Sequence, residues 1–88
     1  MSSSPGAQFV DTHRSELIQK VHMVMQVVEE LLSQGLLNEE THLQISTANT
    51  DEEKMIELYK ALDAGGDEVK SAFYLELRDY EPHLFHDL

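Results

Sequence analysis

The sequence predicts an all-α protein, a bundle of about six short amphipathic helices. Apolar residues recur at spacings of three and four along most of the chain, which is the periodicity of one helix face. Glycine, asparagine and proline separate these apolar segments and are typical of turns between helices. The chain has 88 residues and no cysteine, so it can form one small hydrophobic core and no disulfide framework. We expect a helical bundle over residues 8–88, after a flexible leader of residues 1–7.

The first apolar segment predicts two helices in succession. Pro5 is compatible with the first turn of a helix, because a backbone N–H there has no partner within the helix and its absence in proline costs nothing. The segment 10–32 is long for one helix in a small domain, since such helices average about 11–12 residues. We therefore expect a kink or break near residues 22–25. The apolar positions at helical spacing are Val10, Leu17, Ile18, Val21, Val24, Val27, Val28 and Leu31.

The third helix is expected to be short. Residues 33–35, Ser-Gln-Gly, end the second helix, and Asn38 is a good N-cap for the next one. Two glutamates follow Asn38 in the first turn, where the helix dipole favours negative charge. Leu43 and Ile45 do not share a helical face, so the pattern over residues 38–46 is weak.

The best-defined helix covers residues 50–62. Thr50 can cap its first turn with the side-chain hydroxyl, and Glu53 can reach back to the Thr50 backbone N–H, completing a capping box. The glycine-rich residues 63–66 are expected to end the helix, because glycine accepts the backbone of a C-terminal cap. Its apolar residues lie at i, i+3, i+4 and i+7 and are Met55, Leu58, Tyr59 and Leu62.

Two further helices complete the chain. Asp67 is the expected N-cap of a fifth helix, and Pro82 is compatible with the first turn of a sixth. The fifth helix presents one apolar face that includes Phe73 and Leu77, and the sixth carries Leu84. From all these faces, the predicted core consists of Val10, Leu17, Val21, Val28, Leu31, Met55, Leu58, Leu62, Phe73 and Leu77.

The charge of the chain disfavours two classes of partner. Seventeen acidic residues against six basic ones give a formal net charge of −11. Nucleic acid and anionic membrane are both bound through clustered lysine and arginine, so neither is an expected partner. No apolar run is long enough to span a bilayer. A partner protein with a basic face would instead be steered towards this domain.

The residues predict no catalysis, metal or cofactor. The serines lack the glycines of a nucleophile elbow, and the pair Gly65-Gly66 lacks the Lys-Ser/Thr of a phosphate-binding loop. His83 and His86, at i and i+3, come nearest to a metal site but have no evident third ligand. Carboxylates are abundant, yet a small helical bundle has little room for the cleft that acid–base catalysis needs.

The acidic residues on either side of the turn between the second and third helices are expected to form one surface patch. Glu29 and Glu30 lie near the end of the second helix, and Glu39 and Glu40 begin the third. A short turn joins these two helices, so the four carboxylates can lie close together. The alternative is that they are ordinary solvated residues on separate helix faces.

A weaker basic patch is expected on the first and fourth helices. Arg14 and Lys20 lie on the first, and Lys54 and Lys60 lie on the fourth. A rigid domain with patches of opposite charge on different faces can associate head to tail, which produces open helical filaments when the rotation does not close. Solvated, functionless helix faces are again the alternative.

Four segments in order give the chain a resemblance to a known family. They are FVDTHRSELIQKV at 9–21, LLNEE at 36–40, TDEEKMIELYKAL at 50–62 and EPHLFHDL at 81–88. Together they resemble the caspase recruitment domain (CARD) of the death-fold superfamily, particularly the CARDs of inflammasome adaptors and sensors. The resemblance implies a six-helix Greek-key bundle with a kinked first helix. It also implies cytoplasmic, homotypic assembly with other CARD proteins, such as an adaptor or an inflammatory caspase, or self-assembly, without catalysis.

The resemblance further implies the residues of an interface. In the family, basic residues on the first and fourth helices of one domain meet acidic residues on the second and third helices of the next. By position, the basic contacts would be Arg14, Lys20 and Lys54, and the acidic contacts would be Glu29, Glu30, Glu39 and Glu40.

The chain departs from the family pattern on its basic side. Ile56 and Glu57 stand where similar CARDs carry an arginine and a lysine. The loop after Leu62 is short and lacks a tryptophan that a similar CARD uses for a second type of contact. Gly35 is one residue more than the family pattern has in the turn between the second and third helices. We therefore expect an acidic face offered to a basic partner CARD. An inhibitory CARD that caps a filament, or a structural helical domain without CARD partners, are the alternatives.

Overall fold

The computed structural model describes residues 4–88, apart from the side chain of Asp87. This part of the chain is all-α, as predicted, and contains no strand. Its seven helices are α1 (Pro5–Thr12), α2 (Arg14–Lys20), α3 (Val24–Ser33), α4 (Glu39–Ser46), α5 (Asp51–Gly65), α6 (Asp67–Tyr80) and α7 (Leu84–Asp87).

The first helix of the predicted bundle is divided in two, which explains the count of seven. His13 has a non-helical backbone (φ −102°, ψ 27°), and it ends α1 while its N–H still donates to the Phe9 carbonyl at 3.0 Å. Helices α1 and α2 together are therefore the kinked first helix that the resemblance implies. A second break, predicted near residues 22–25, lies at residues 21–23, where Val21 is extended (φ −74°, ψ 126°).

The folded domain begins earlier than expected, which corrects the boundary at residue 8. Ser4 is the N-cap of α1, and its hydroxyl accepts the Ala7 N–H at 3.2 Å. Ala7 is fully buried, and a Cβ on Gly6 would lie 3.1 Å from the Tyr74 ring of α6. The first turn of α1 therefore packs on α6 and is part of the folded domain. The remainder of the expected leader, residues 1–3, lies outside the described residues.

The turn between α5 and α6 also differs from the expectation. Helix α5 continues three residues past Leu62 and ends at Gly65, with Gly66 as its C-cap. Gly66 has φ 77°, a left-handed conformation that glycine adopts without the steric cost of a Cβ. It is also the N-cap residue of α6, so Asp67, the predicted N-cap, is instead the first helical residue.

The core was predicted correctly. All ten predicted core residues are 0–1% exposed. Tyr59 is also fully buried, and its hydroxyl donates to the backbone carbonyl of Val10 at 2.7 Å, which joins α5 to α1. Leu43 and Ile45 behave as their spacing indicated, since Ile45 is fully buried and Leu43 is 61% exposed.

Candidate protein-interaction surface

Helices α3 and α4 place two of the predicted acidic residues on adjoining faces. The Glu29 side chain, on α3, is 58% exposed, and its Oε2 contacts Nε2 of His42 on α4. Glu39 lies one turn before His42 on the same side of α4, because residues at i and i+3 are neighbours on a helix. Glu29 therefore contacts α4 at His42, one turn from Glu39.

Glu30 belongs to a different part of the surface. The Tyr80 hydroxyl, on α6, donates to Glu30 Oε1 at 3.5 Å, so this carboxylate lies on the side of α3 that packs on α6. Desolvation, together with the nearby carboxylates of Glu30 and Glu76, raises the pKa of the Tyr80 hydroxyl. Glu30 is thus separated from Glu29, which lies on the side of α3 that faces α4.

The outer side of α4 combines charge with an exposed apolar residue. Glu39 and Glu40 are exposed and form no ion pair with the described side chains. Leu43 lies four and three residues after them, so all three share one side of the helix. Sequence reasoning separated Leu43 from the Ile45 face but did not assign it to an interaction surface. We define the acidic α4 face as Glu29, Glu39, Glu40 and Leu43.

Arg14 is held by an acidic residue of the same chain. Its guanidinium makes two hydrogen bonds to the Asp63 carboxylate near the end of α5, at 2.9 and 3.2 Å. The guanidinium carbon also lies 4.6 Å from the centre of the Tyr59 ring, which is a cation–π contact. The hydrogen bonds raise the pKa of Arg14 and lower the pKa of Asp63.

Lys70, on α6, extends this arrangement. Its Nζ lies 2.8 Å from an Asp11 carboxylate oxygen and 3.6 Å from an Asp63 carboxylate oxygen. The hydrogen bond to Asp11 raises the pKa of Lys70. We call Asp11, Arg14, Asp63 and Lys70 the Asp63 network; it joins α1, α2, α5 and α6. Sequence reasoning missed Asp63 and Lys70, because Arg14 and Asp63 are 49 residues apart in the chain.

Lys54 is also satisfied within the domain. Its Nζ donates to the backbone carbonyls of Ser46 at 3.0 Å and Ala48 at 2.7 Å. These carbonyls lie at the C-terminal end of α4, where a helix has unpaired acceptors and its dipole favours a cation. The predicted basic contact Lys54 therefore points towards α4. Lys60 similarly lies 2.9 Å from Glu57 on its own helix.

The three predicted basic contacts lie at two ends of one helix pair. Arg14, at the start of α2, contacts Asp63 near the C-terminal end of α5. His22, just after the end of α2, lies 3.6 Å from Asp51 at the N-terminal end of α5. Helices α2 and α5 are therefore antiparallel. Lys20, at the end of α2, lies towards the Lys54 end of α5, and nine residues of helix, roughly 14 Å, separate Lys54 from Asp63.

The described residues offer little for metal binding or catalysis. No group of three or more His, Asp or Glu side chains in this part of the chain could hold a metal ion. A shallow groove of about 230 Å³ lies between the α3–α4 turn and the end of α5. The residues that line it carry no titratable group: Leu36, Leu37, Asn38, Thr41, Ala61, Ala64 and Gly65. Among the described residues, no helix has the length and apolar character that a membrane crossing requires.

Comparison with known proteins agrees with the geometry of a helical interaction domain. The sequence model of the family described as caspase recruitment domain matches residues 7–88. A mouse protein, NACHT, LRR and PYD domains-containing protein 1b allele 3, is 35% identical over 81 residues, which are 91% of this chain and 7% of that protein. A rat protein, NACHT, LRR and PYD domains-containing protein 1a allele 1, is 33% identical over 81 residues, which are 91% of this chain and 6% of that protein.

A shorter relative is similar over nearly the whole chain. The bovine apoptosis-associated speck-like protein containing a CARD is 33% identical over 87 residues, which are 99% of this chain and 44% of that protein. The chain thus spans less than half the length of each of these curated relatives.

Proposed function

The chain belongs to the caspase recruitment domain family, and we propose that it presents the acidic α4 face to the basic face of another CARD. The family is one of protein–protein interaction domains and not of catalytic domains. We further propose that this association takes place in the cytoplasm and serves inflammasome or caspase-activating signalling. The partner would be the CARD of an adaptor or of an inflammatory caspase.

The observation that carries this proposal is the unequal availability of the two kinds of charge. Glu39 and Glu40 are exposed and unpaired among the described side chains, next to the exposed Leu43. Four of the six basic residues, in contrast, are already bonded within the domain, namely Arg14, Lys54, Lys60 and Lys70.

A domain with this distribution favours a basic partner over a second copy of itself. The net charge of −11 makes two copies repel each other at low salt, while a basic surface is attracted and oriented during encounter. The exposed leucine can then add apolar contact at the centre of a polar surface, as is usual at protein interfaces.

Charge reversal on the acidic α4 face tests the proposal. The variant carries Glu29→Lys and Glu39→Lys, and the control carries Glu52→Lys and Glu68→Lys, at exposed first-turn positions of α5 and α6. Each double change adds four units of charge and takes the formal net charge from −11 to −7. Purified CARDs of net positive charge serve as partners, with light scattering and negative-stain microscopy as readouts.

We expect the wild type and the control to co-assemble with a basic CARD, and the α4-face variant to remain separate with an unchanged helical CD spectrum. Co-assembly of the variant at the wild-type level would show that the acidic-face proposal is wrong. An equal loss in the control would show that overall charge, and not this face, governs the association.

A capping role is the second candidate, and the Asp63 network favours it. A CARD with an open acidic face and an occupied basic face can join the end of a filament without offering a complete face to the next subunit. Substoichiometric addition to a growing filament of a basic CARD separates the two roles. Faster growth indicates nucleation, and arrested growth with shorter filaments indicates capping. A structural domain without CARD partners would bind none of the CARDs at micromolar concentration.

A further inference from the structure

We propose that Asp63 is an intramolecular latch, which occupies on Arg14 the position that a carboxylate from a second copy would otherwise take. This inference rests on the proposed function, because the second copy's carboxylates belong to its acidic α4 face. The surface that the latch covers is made of Arg14 and Lys70, and the partner that fits it is this same chain.

The geometry around Arg14 is that of a prepared carboxylate-binding site. Two nearly parallel N–H···O bonds join the guanidinium to Asp63, which is the bidentate arrangement that arginine forms with any carboxylate. The guanidinium carbon lies over the Tyr59 ring, and Lys70 supplies a second cation 3.6 Å from the same carboxylate. The site therefore has its donors positioned and needs only an acceptor.

The pair is also placed where a second copy could reach it. The side chains of Arg14 and Asp63 are 44% and 46% exposed, so solvent and another protein have access to both. Exposed ion pairs contribute little to stability, so holding the fold together is a small part of what this contact does. A latch of that strength can be displaced by a surface that makes several contacts at once.

The charge balance explains why the surface is closed in the wild type. Two carboxylates and two cations make the Asp63 network neutral. The lowered pKa of Asp63 and the raised pKa values of Arg14 and Lys70 keep these three groups charged at neutral pH. Removing the Asp63 charge would leave a net positive surface with an unpaired guanidinium, opposite in sign to the α4 face.

The test compares Asp63→Asn and Asp63→Ala with two controls. Asp63→Glu keeps the carboxylate, and Asp67→Asn makes the same change of charge at an exposed residue of α6 that has no ion pair with the described side chains. Sedimentation velocity and light scattering of each variant alone measure self-association at low salt. Helical CD and thermal unfolding establish that each variant is folded, and the alanine variant removes the amide oxygen through which asparagine could still hold Arg14.

We expect Asp63→Ala, and to a similar or smaller extent Asp63→Asn, to self-associate at about tenfold lower concentration than the wild type. Asp63→Glu and Asp67→Asn should match the wild type. Adding Arg14→Ala, or Glu29→Lys with Glu39→Lys, to Asp63→Ala should abolish the gain. If folded Asp63→Ala self-associates no more than Asp67→Asn, the latch is refuted.

The outcome is separable from that of the proposed function. Co-assembly of the wild type and of the Glu29→Lys, Glu39→Lys variant with a basic CARD, measured in parallel, reports on the acidic α4 face. Co-assembly without self-association of Asp63→Ala refutes the latch and leaves the function standing. Self-association of Asp63→Ala that survives Glu29→Lys with Glu39→Lys shows that a different acidic surface binds Arg14, which refutes the latch as stated and counts against the α4 face.

Discussion

The carboxylate of Glu81 accepts the backbone N–H of Met23 at 3.1 Å, which ties the turn before α7 to the break between α2 and α3. The same oxygen accepts the N–H of His22 at 3.1 Å, and Glu81 is only 2% exposed. Met23 is the N-cap of α3 and makes no side-chain cap bond of its own. Glu81 therefore supplies the negative acceptor that a helix N-terminus favours, from a residue 58 positions away.

Replacing Glu81 with alanine should destabilise the domain by about 2–3 kcal/mol, because two partly buried N–H groups lose their acceptor. Glu81→Gln keeps a neutral acceptor and should cost about 1 kcal/mol. For a domain of this size, about 4–8 °C of Tm corresponds to each kcal/mol. Urea and thermal unfolding measure both. The exposed control Glu52→Ala should stay within about 0.5 kcal/mol, and an equal effect there would contradict the role of Glu81 as the acceptor for His22 and Met23.

The fold was accessible from the sequence where its cause is local. The apolar spacing in α3 and α5 identifies the buried face directly, since each helix must bury its own stripe. The cap Thr50 and the end of α3 follow from residues within one turn; the Glu53 N–H donates to the Thr50 hydroxyl at 3.0 Å. The break at His13 carries no comparable signal, because neither proline nor glycine marks it.

The candidate site was less accessible, because its character depends on pairing. The sequence shows that Arg14 and Lys54 are basic, but whether they are available depends on Asp63 and on the end of α4. Those partners come from the packing of helices that are distant in the chain. Glu29 and Glu30 are likewise neighbours in sequence that face different helices, α4 and α6.

Tyr59→Phe should lower the stability at neutral pH by about 1 kcal/mol, because the buried Val10 carbonyl loses its donor while the packing is preserved. Burial raises the pKa of Tyr59 and outweighs the opposite effect of nearby Arg14. The folded state thus keeps a proton that the unfolded chain loses above pH of about 10.

The tyrosine's contribution is therefore full below that pH and is lost as pH rises towards the folded-state pKa. We expect the difference in unfolding free energy between wild type and Tyr59→Phe to shrink above pH of about 10. Urea titrations of both proteins from neutral to alkaline pH measure it. A difference that stays constant or widens would contradict the assignment.

Lys54→Met should act on stability through α4. The substitution keeps the aliphatic packing but removes the donor to the Ser46 and Ala48 carbonyls, so we expect a loss of about 1 kcal/mol. Lys60→Met, which removes only an exposed pair with Glu57, should cost less than about 0.5 kcal/mol. Thermal unfolding compares them. If the two variants unfold alike while Lys54→Met alone loses partner binding, then Lys54 is an interface residue and not a cap of α4.

Leu43→Ser should weaken partner binding without weakening the fold. Leu43 is 61% exposed, so its removal should change the unfolding free energy by less than about 0.5 kcal/mol. If the acidic α4 face is the docking surface, an apolar residue beside Glu39 and Glu40 becomes buried on association, and its loss should raise the Kd about tenfold. Leu75→Ser, at a leucine on α6 that is 46% exposed, is the matched control and should bind as the wild type does.

Titration of a fluorescently labelled basic CARD measures the Kd of all three proteins. Equal loss in both variants would show that the effect is not specific to the acidic α4 face. A wild-type Kd for Leu43→Ser would leave the association purely electrostatic, with a correspondingly steeper dependence on salt.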